Sequence, residues 1–247
     1  MNDQIEGIVV SVKDYREHDS LLHVLTSEDQ MMSIIARGVQ KVKSKNAPAC
    51  QLFTYTRMQL NYREQATMQS LRSAEILESY RKIREDLLKQ SIASYFCECI
   101  DKSGFELDAF DLLKTSLEIL KVTTHPFRIL CLFQSLINRM HGIEPYVDGC
   151  VRCGTAQGIY GISRNDGGFV CKLCYKRVSD HAKSIEELKR FRLISKAELK
   201  HDAILASHAE FTYEDFEELY GFFAEYSGVS LRSIRFLRCL MDMEEKS

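Results

Sequence analysis

Tryptophan is absent from the 247 residues, and proline occurs only three times. So few helix breakers leave room for long regular segments, as in a helix-rich chain. No apolar run reaches membrane-spanning length. The most apolar segment, PFRILCLFQSLINRM, carries two arginines and falls short of the roughly 20 residues a span needs. The start, MNDQIEGIVV, has no basic region ahead of an apolar one, so no signal peptide is expected. The chain therefore reads as soluble and cytoplasmic, with no membrane partner. Acidic residues are missing from one long interval, between Asp29 and Glu64. The net charge of −2 excludes a globally basic nucleic-acid binder but leaves room for a locally basic one.

The chain changes character along its length. Residues 5–73 hold five short runs, IEGIVVSV, SLLHVLTS, MMSIIAR, TYTRMQLNY and TMQSLRSA. They are rich in β-branched and aromatic residues and are separated by turn-like clusters, the signature of strands. Ser27, Glu28, Asp29 and Gln30 join the second and third as a hairpin. Five short strands with no long helix between them suggest a small closed barrel, and the OB-fold is one such solution.

From Tyr80 the apolar period becomes three and four. Ile83, Leu87, Leu88, Ile92, Tyr95, Phe96 and Cys99 mark one helix face, and Leu107, Phe110, Leu113, Leu117 and Leu120 a second. Pro126 suits the first turn of a third helix running toward Gly142. Ser184-x-x-Glu187 resembles a capping box ahead of a further helix. Two more stripes follow, Phe216, Leu219, Tyr220 and Phe223, then Leu231, Ile234, Leu237 and Met241. Each stripe reads as core. The third helix is apolar nearly all round, with Arg128 and Arg139 at its edges. It is either buried on every side or offers a groove to a partner peptide.

Nine cysteines, odd in number and uneven in spacing, argue for thiols and metal ligands over a disulfide framework. Cys150 and Cys153 form one C-x-x-C pair and Cys171 and Cys174 another, with 17 residues between them, inside the zinc pattern. Two intervening residues let a tight turn point both sulfurs at one ion. Gly154 relieves the backbone after the first pair, and Gly167 and Gly168 allow a hairpin before the second. GIYGIS and GGFVC read as the two strands of a zinc ribbon. Four thiolates fill a tetrahedral zinc site and leave no open position, which makes the metal structural. Two disulfides or a redox dithiol are the competing readings, but no βαβ context for a redox pair is visible. His181 could replace one ligand or lie on the surface.

Arg37, Lys41, Lys43, Lys45, Arg57 and Arg63 all fall in the acid-free interval, whereas residues 201–247 hold ten acidic and four basic side chains. ARGVQKVKSKNAPAC reads as a flexible loop after the third strand. Such a loop can track a phosphate backbone without reading sequence. Tyr15, Phe53, Tyr55 and Tyr62 are either stacking faces for unpaired bases or barrel core. Arg232, Arg235 and Arg238 form a second basic stripe at helical spacing, which is otherwise a plain solvent face.

Taken in order, GIVVSVKDYREHDSLLHVLTSEDQMMSIIARGVQKVKSK, with its Glu17-His18-Asp19 turn, then LRSAEILES, then the ribbon with GGFVCKLC, resemble the DNA repair protein RecO family along the whole chain. The resemblance implies an α+β protein: an N-terminal OB-fold β-barrel followed by an α-helical domain with an inserted zinc ribbon. The domain limits expected are 1–79 for the OB-fold, 80–147 and 179–247 for the two parts of the helical domain, and 148–178 for the ribbon. It implies DNA binding, which the acid-free interval assigns to Arg37, Lys41, Lys43, Lys45, Arg57 and Arg63, and structural Zn2+ on Cys150, Cys153, Cys171 and Cys174.

The activity implied is that of a recombination mediator, not an enzyme. It would bind single- and double-stranded DNA, anneal complementary strands and, with RecR, help load RecA. The acidic, apolar C-terminal tail of single-strand-binding protein is a further implied partner, and the implied location is the bacterial cytoplasm, at the nucleoid. Two other classes stay open: a metal-dependent DNA-processing enzyme, and a scaffold that binds only proteins. Neither a phosphate-binding G-x-x-x-x-G-K-[ST] loop nor an evident catalytic cluster is present.

Overall fold

The alternation of apolar and polar residues in the first part of the chain resolves into β1 (Gln4–Tyr15), β2 (Asp19–Thr26), β3 (Met31–Ala36), β4 (Tyr55–Asn61) and β5 (Gln69–Glu78) in the computed structural model, which describes residues 3–64, 66–104, 108–208 and 210–244. The strands close in the order β1-β2-β3-β5-β4, with β4 returning to β1 and β3 parallel to β5. This is the five-strand OB-type barrel expected from the sequence. Val9, Leu22, Val24, Ile34, Met58, Leu60 and Leu71 point inward and fill it. Closure leaves no open sheet edge to recruit another chain.

The segment from Arg37 to Thr54 belongs to the barrel. Val39 and Cys50 are buried in the same core, and a 3-10 turn at Ala47–Cys50 lies against β4 and β5. The Asn46 side chain accepts a hydrogen bond from the Ala74 N–H at 3.2 Å, fixing the far end of the segment to β5.

Two compact units make up the chain. One comprises the residues up to Val122 together with those from Leu231 onward; the other is Thr123–Ser230. In the first unit the barrel is joined by α1 (Arg81–Arg84), α2 (Leu87–Ser103), α3 (Ala109–Val122) and, from the end of the chain, α8 (Ser233–Glu244). The stripe expected to form one helix from Ile83 is split, because Asp86 is extended and its carboxylate accepts the Lys89 N–H at 3.0 Å, starting α2 afresh. Leu107, assigned to the second stripe, lies outside the described residues. Asp29, at the β2–β3 hairpin, accepts the N–H groups of Asp108 and Phe110 at 3.1 and 2.8 Å and so caps the start of α3 from the barrel side.

The second unit contains α4 (Pro126–Met140), β6 (Ile159–Ser163), β7 (Gly168–Cys171), β8 (Asp180–Ala182), α5 (Ile185–Ser195), α6 (Asp202–His208) and α7 (Tyr213–Tyr226). Helices that the sequence groups in one domain are thus shared between the units. Ser184 and Glu187 form the expected capping box at the start of α5.

The two readings of α4 are resolved in favour of burial. Its residues from Ile129 to Ser135 are all buried, as are Ile137 and Asn138. Its polar groups are satisfied within the unit: Asn138 Nδ2 donates to Leu219 O at 2.9 Å and Ser135 Oγ to Ile194 O at 3.1 Å. Arg128 pairs with Asp202 at 2.8 Å, and Arg139 donates to Ser195 O at 2.8 Å. Among the described residues no helix is long and apolar enough to cross a membrane.

Glu98 on α2 holds the start of α8. It accepts the Arg232 N–H at 2.8 Å and the Ser233 N–H at 2.7 Å, and pairs with Lys102 at 2.8 Å. Burial pushes its carboxyl up, but these donors outweigh that and bring it down to about 2 from an ordinary 4.5. A carboxylate with a depressed folded pKa contributes stability above its unfolded pKa. Glu98 is therefore expected to stabilise the first unit fully above about pH 4.5 and progressively less as pH falls toward 2. Glu98→Gln should lower unfolding stability by about 1–2 kcal/mol near neutrality and flatten that acid limb, read by denaturant unfolding across pH.

Candidate nucleic-acid interface and metal centre

The β1–β2 turn and the exit from β3 lie at the same end of the barrel, since Tyr15 pairs with Asp19 and Ser20 with Ala36. The loop that follows is held there by specific bonds. Asp19 Oδ1 accepts the Gly38 N–H at 2.7 Å, His18 O accepts the Gln40 N–H at 3.1 Å, and Gln40 Nε2 donates to Asp14 Oδ1 at 2.8 Å. With Val39 and Cys50 buried below, the lysine loop is pinned to the barrel, not free as the sequence suggested. Arg37, Lys41, Lys43 and Lys45 are exposed on this rim, and none forms an ion pair among the described residues. Arg16, Arg37 and Lys41 line one depression of about 460 Å³ together with Glu17, His18, Asp19 and Gly38.

The other two cations are elsewhere. Arg57 stands on β4 in register with Glu6 on β1 and Glu75 on β5, and pairs with both, at 2.8 and 3.3 Å. Glu6 also accepts from Tyr55 Oη at 2.8 Å. The stretch around Arg57 is acid-free only along the chain, because cross-strand neighbours supply the carboxylates. Arg63 is exposed in the β4–β5 connection, at the opposite end of the strands, where Gln4 pairs with Gln59. A cation that sequence reasoning missed is Arg72. Ile35 pairs with Ser70 across the parallel strands. Two residues further along each, Arg37 and Arg72 follow on the outward side, and Arg72 is exposed. The parallel pairing of distant strands was the missing signal.

The aromatic residues do not form an open platform. Phe53 is buried, with the Arg84 guanidinium 4.2 Å from its ring centre. Tyr55 is edge-on to Phe110 at 5.8 Å, Tyr62 is half-buried, and Arg16 lies 5.2 Å from the Tyr15 ring centre. Arg232, just before α8, and Arg235 on it are exposed.

In the second unit, β6 and β7 form the expected hairpin, and β8 adds a third strand in the order β7-β6-β8. The sulfurs of Cys150, Cys153, Cys171 and Cys174 all lie within 4.8 Å of one another. Tetrahedral metal–sulfur bonds of about 2.3 Å require sulfur–sulfur separations of about 3.8 Å. Cys153 Sγ and Cys171 Sγ are 3.7 Å apart, so the set fits one ion and is not bonded as a disulfide there. Gly154, at φ +76°, turns the chain so that the Cys150 N–H reaches Thr155 O at 2.8 Å. Burial pushes the Cys150 thiol up, but backbone hydrogen bonds from Cys171, Arg152 and Cys153 bring it down to about 6. The Cys174 thiol, hydrogen-bonded to Cys153 and Cys171, is pushed up to about 12. Four crowded thiols cannot all ionise unaided; a divalent cation removes that conflict.

Arg152, between the first two cysteines, ties the ribbon together. It donates to Cys174 O, pairs with the buried Asp180 at 2.6 Å, and also pairs with Asp166. A second latch fixes the ribbon within its unit. Glu218 on α7 is 4% exposed and receives Arg164 Nε at 2.9 Å, His181 Nδ1 at 3.0 Å and Lys183 Nζ at 3.2 Å. Burial raises its carboxyl; the hydrogen bond with His181 and the charges of Arg164 and Lys183 outweigh it and leave it below the ordinary value. His181 is therefore a partner of Glu218, outside the four-thiol set. Gly221, one turn on from Glu218, is where Arg164 crosses the helix: a Cβ there would stand 2.2 Å from Arg164 Cζ.

A closed OB-type barrel with a cationic rim, a helical body and an inserted four-thiol ribbon define a barrel-and-ribbon protein. The N-terminal part matches the family model for Recombination protein O N terminal over residues 1–80, and the remainder that for Recombination protein O C terminal over residues 84–233. The chain belongs to the RecO family of DNA repair proteins. Its relatives include the DNA repair protein RecO of Bacillus pumilus, 30% identical over 97% of this chain and 95% of that protein. Those of Halalkalibacterium halodurans and Bacillus subtilis are 29% and 28% identical, over 98% and 99% of this chain and 97% of each relative.

Gly221→Ala gains about 1 kcal/mol of helix propensity. It is nonetheless expected to lower the thermal midpoint, because Arg164 must leave a buried carboxylate; in a Glu218→Gln background the loss should shrink. One equivalent of metal per chain is expected by elemental analysis. Cys153→Ser should abolish it, and a strong chelator should make all four thiols of the ribbon reactive to a thiol reagent.

Proposed function

We propose that this protein binds single- and double-stranded DNA through the barrel rim and anneals complementary strands. In cells it would act with RecR to help load RecA on DNA covered by single-strand-binding protein. The observation that carries the reading is the set of unpaired cations, Arg37, Lys41, Lys43 and Lys45, with Arg16 and Arg72 beside them, on a loop held rigidly against a closed barrel. Like charges kept together, none of them in an ion pair among the described residues, are stabilised by a polyanion. A pinned array also loses less conformational entropy on binding than a flexible one.

Phosphate contacts hold a strand without reading its sequence, and the same cations screen repulsion from an incoming complementary strand. Base pairing then supplies recognition, so no bond chemistry is needed from the protein. RecR, RecA and the tail of single-strand-binding protein enter through the family resemblance. The burial of α4 argues against that helix as the place where the tail docks. Zn2+ on Cys150, Cys153, Cys171 and Cys174 has a structural role, since four thiolates leave no open coordination position.

For four to six phosphate contacts, log K against log salt on single strands should slope at roughly −3 to −4. Replacing Lys41, Lys43 and Lys45 by Gln is expected to reduce that slope by about 2 and to weaken all sequences alike. Arg57→Gln, whose charge is already spent on Glu6 and Glu75, should leave the slope unchanged. Fluorescence anisotropy over a salt series reads both. Salt-independent binding, or magnesium-supported nicking of the oligonucleotide, would overturn the proposal.

A further inference from the structure

The ribbon sorts its cations in the same way as the barrel. Arg152, Arg164 and Lys183 face carboxylates: Asp166 and Asp180, Glu218, and Glu187 with Glu218. Lys172, Lys176 and Arg177 are exposed, and none forms an ion pair among the described residues. Between Gly167 and Ser179 there is no acidic residue at all. Two apolar side chains flank these cations and are open to solvent: Leu173 is 97% exposed and Val178 102%. Tyr160, 39% exposed, stands edge-on to Tyr175 beside them, with ring centres 4.9 Å apart.

The tip is also held in place. Lys176 N–H donates to the buried Asp180 at 2.7 Å, the Cys174 N–H reaches Cys171 O at 3.1 Å, and Arg152 holds Cys174 O. A metal with four thiolates carries net negative charge, which three nearby cations would partly offset. That account leaves the exposed Leu173 and Val178 without a role. Apolar side chains beside cations suit a nucleic-acid strand, which presents sugar and base faces next to phosphates.

We propose that the ribbon tip, Lys172, Leu173, Lys176, Arg177 and Val178, is a second nucleic-acid contact, independent of the barrel rim, which grips the phosphodiester backbone of a strand. This rests on the DNA-binding reading above and deepens it. Annealing needs two strands held by one molecule, and two separate backbone-binding surfaces provide for both. Joining two weak contacts in one chain also raises affinity for a strand long enough to reach both.

The test compares the unaltered protein with two triple variants, Lys172→Gln/Lys176→Gln/Arg177→Gln at the tip and Lys41→Gln/Lys43→Gln/Lys45→Gln at the rim, on oligo-dT and on a duplex. The tip variant should keep its metal content and thermal midpoint. Its single-strand salt slope should fall by about 2 and its affinity about tenfold or more at moderate salt. Its annealing rate should fall as well. On the unaltered protein, bound oligo-dT should protect Lys172 and Lys176 from acetylation, read by mass spectrometry, which supports the contact without any substitution. A folded, metal-loaded tip variant with the original slope, or tip lysines equally reactive with and without DNA, would overturn this proposal while a weakened rim variant leaves the broader reading standing. No binding by the unaltered protein at low salt would overturn both.

Discussion

A charge withdrawn from water must be paired, and that requirement sorts the cations of this protein into two kinds. Arg57, Arg128, Arg152, Arg164 and Arg190 are held by carboxylates, several of them buried or nearly so. Removing one partner from such a pair leaves an uncompensated charge, which costs about 3–5 kcal/mol when the site is buried. These pairs define structure and are unavailable to a ligand. The cations that remain at the barrel rim and ribbon tip are exposed by the same logic. They lie where solvent, or a polyanion, can meet their charge.

The rim depends on the barrel in a second way. Its cations sit on a loop whose own apolar residues, Val39 and Cys50, complete the core. Hydrophobic burial thus fixes the positions of the lysines between them, and Asp19 and Asn46 fix the two ends. A loop that serves as part of a core cannot drift far from it. The exposed cations of this surface and the stability of the barrel are therefore drawn from the same segment.

The ribbon is organised around its sulfurs, but its attachment is electrostatic. Arg164 comes from the β6–β7 turn, His181 from β8 and Lys183 from just after it, and all three reach one carboxylate on α7. Folding of the four-thiol ribbon and packing of the helices in this unit are coupled through Glu218. Gly221 keeps the helix surface low enough for Arg164 to cross it, which explains a glycine inside an otherwise regular helix.

Local pattern determined much of this. The alternating runs placed all five strands, the capping box placed α5, and the C-x-x-C spacing named four sulfurs that the fold brings together. Each depends on residues close in sequence, where period and turn chemistry act directly. Only the tertiary structure decided which cations are free. Glu6 and Glu75 reach Arg57 from strands far away in the chain, the parallel pairing of β3 with β5 brings Arg72 to the same end of the barrel as Arg37, and Glu218 gathers partners from the β6–β7 turn and from β8. Electrostatic pairing acts through space across strand registers, and a register between distant strands leaves no mark on the order of residues.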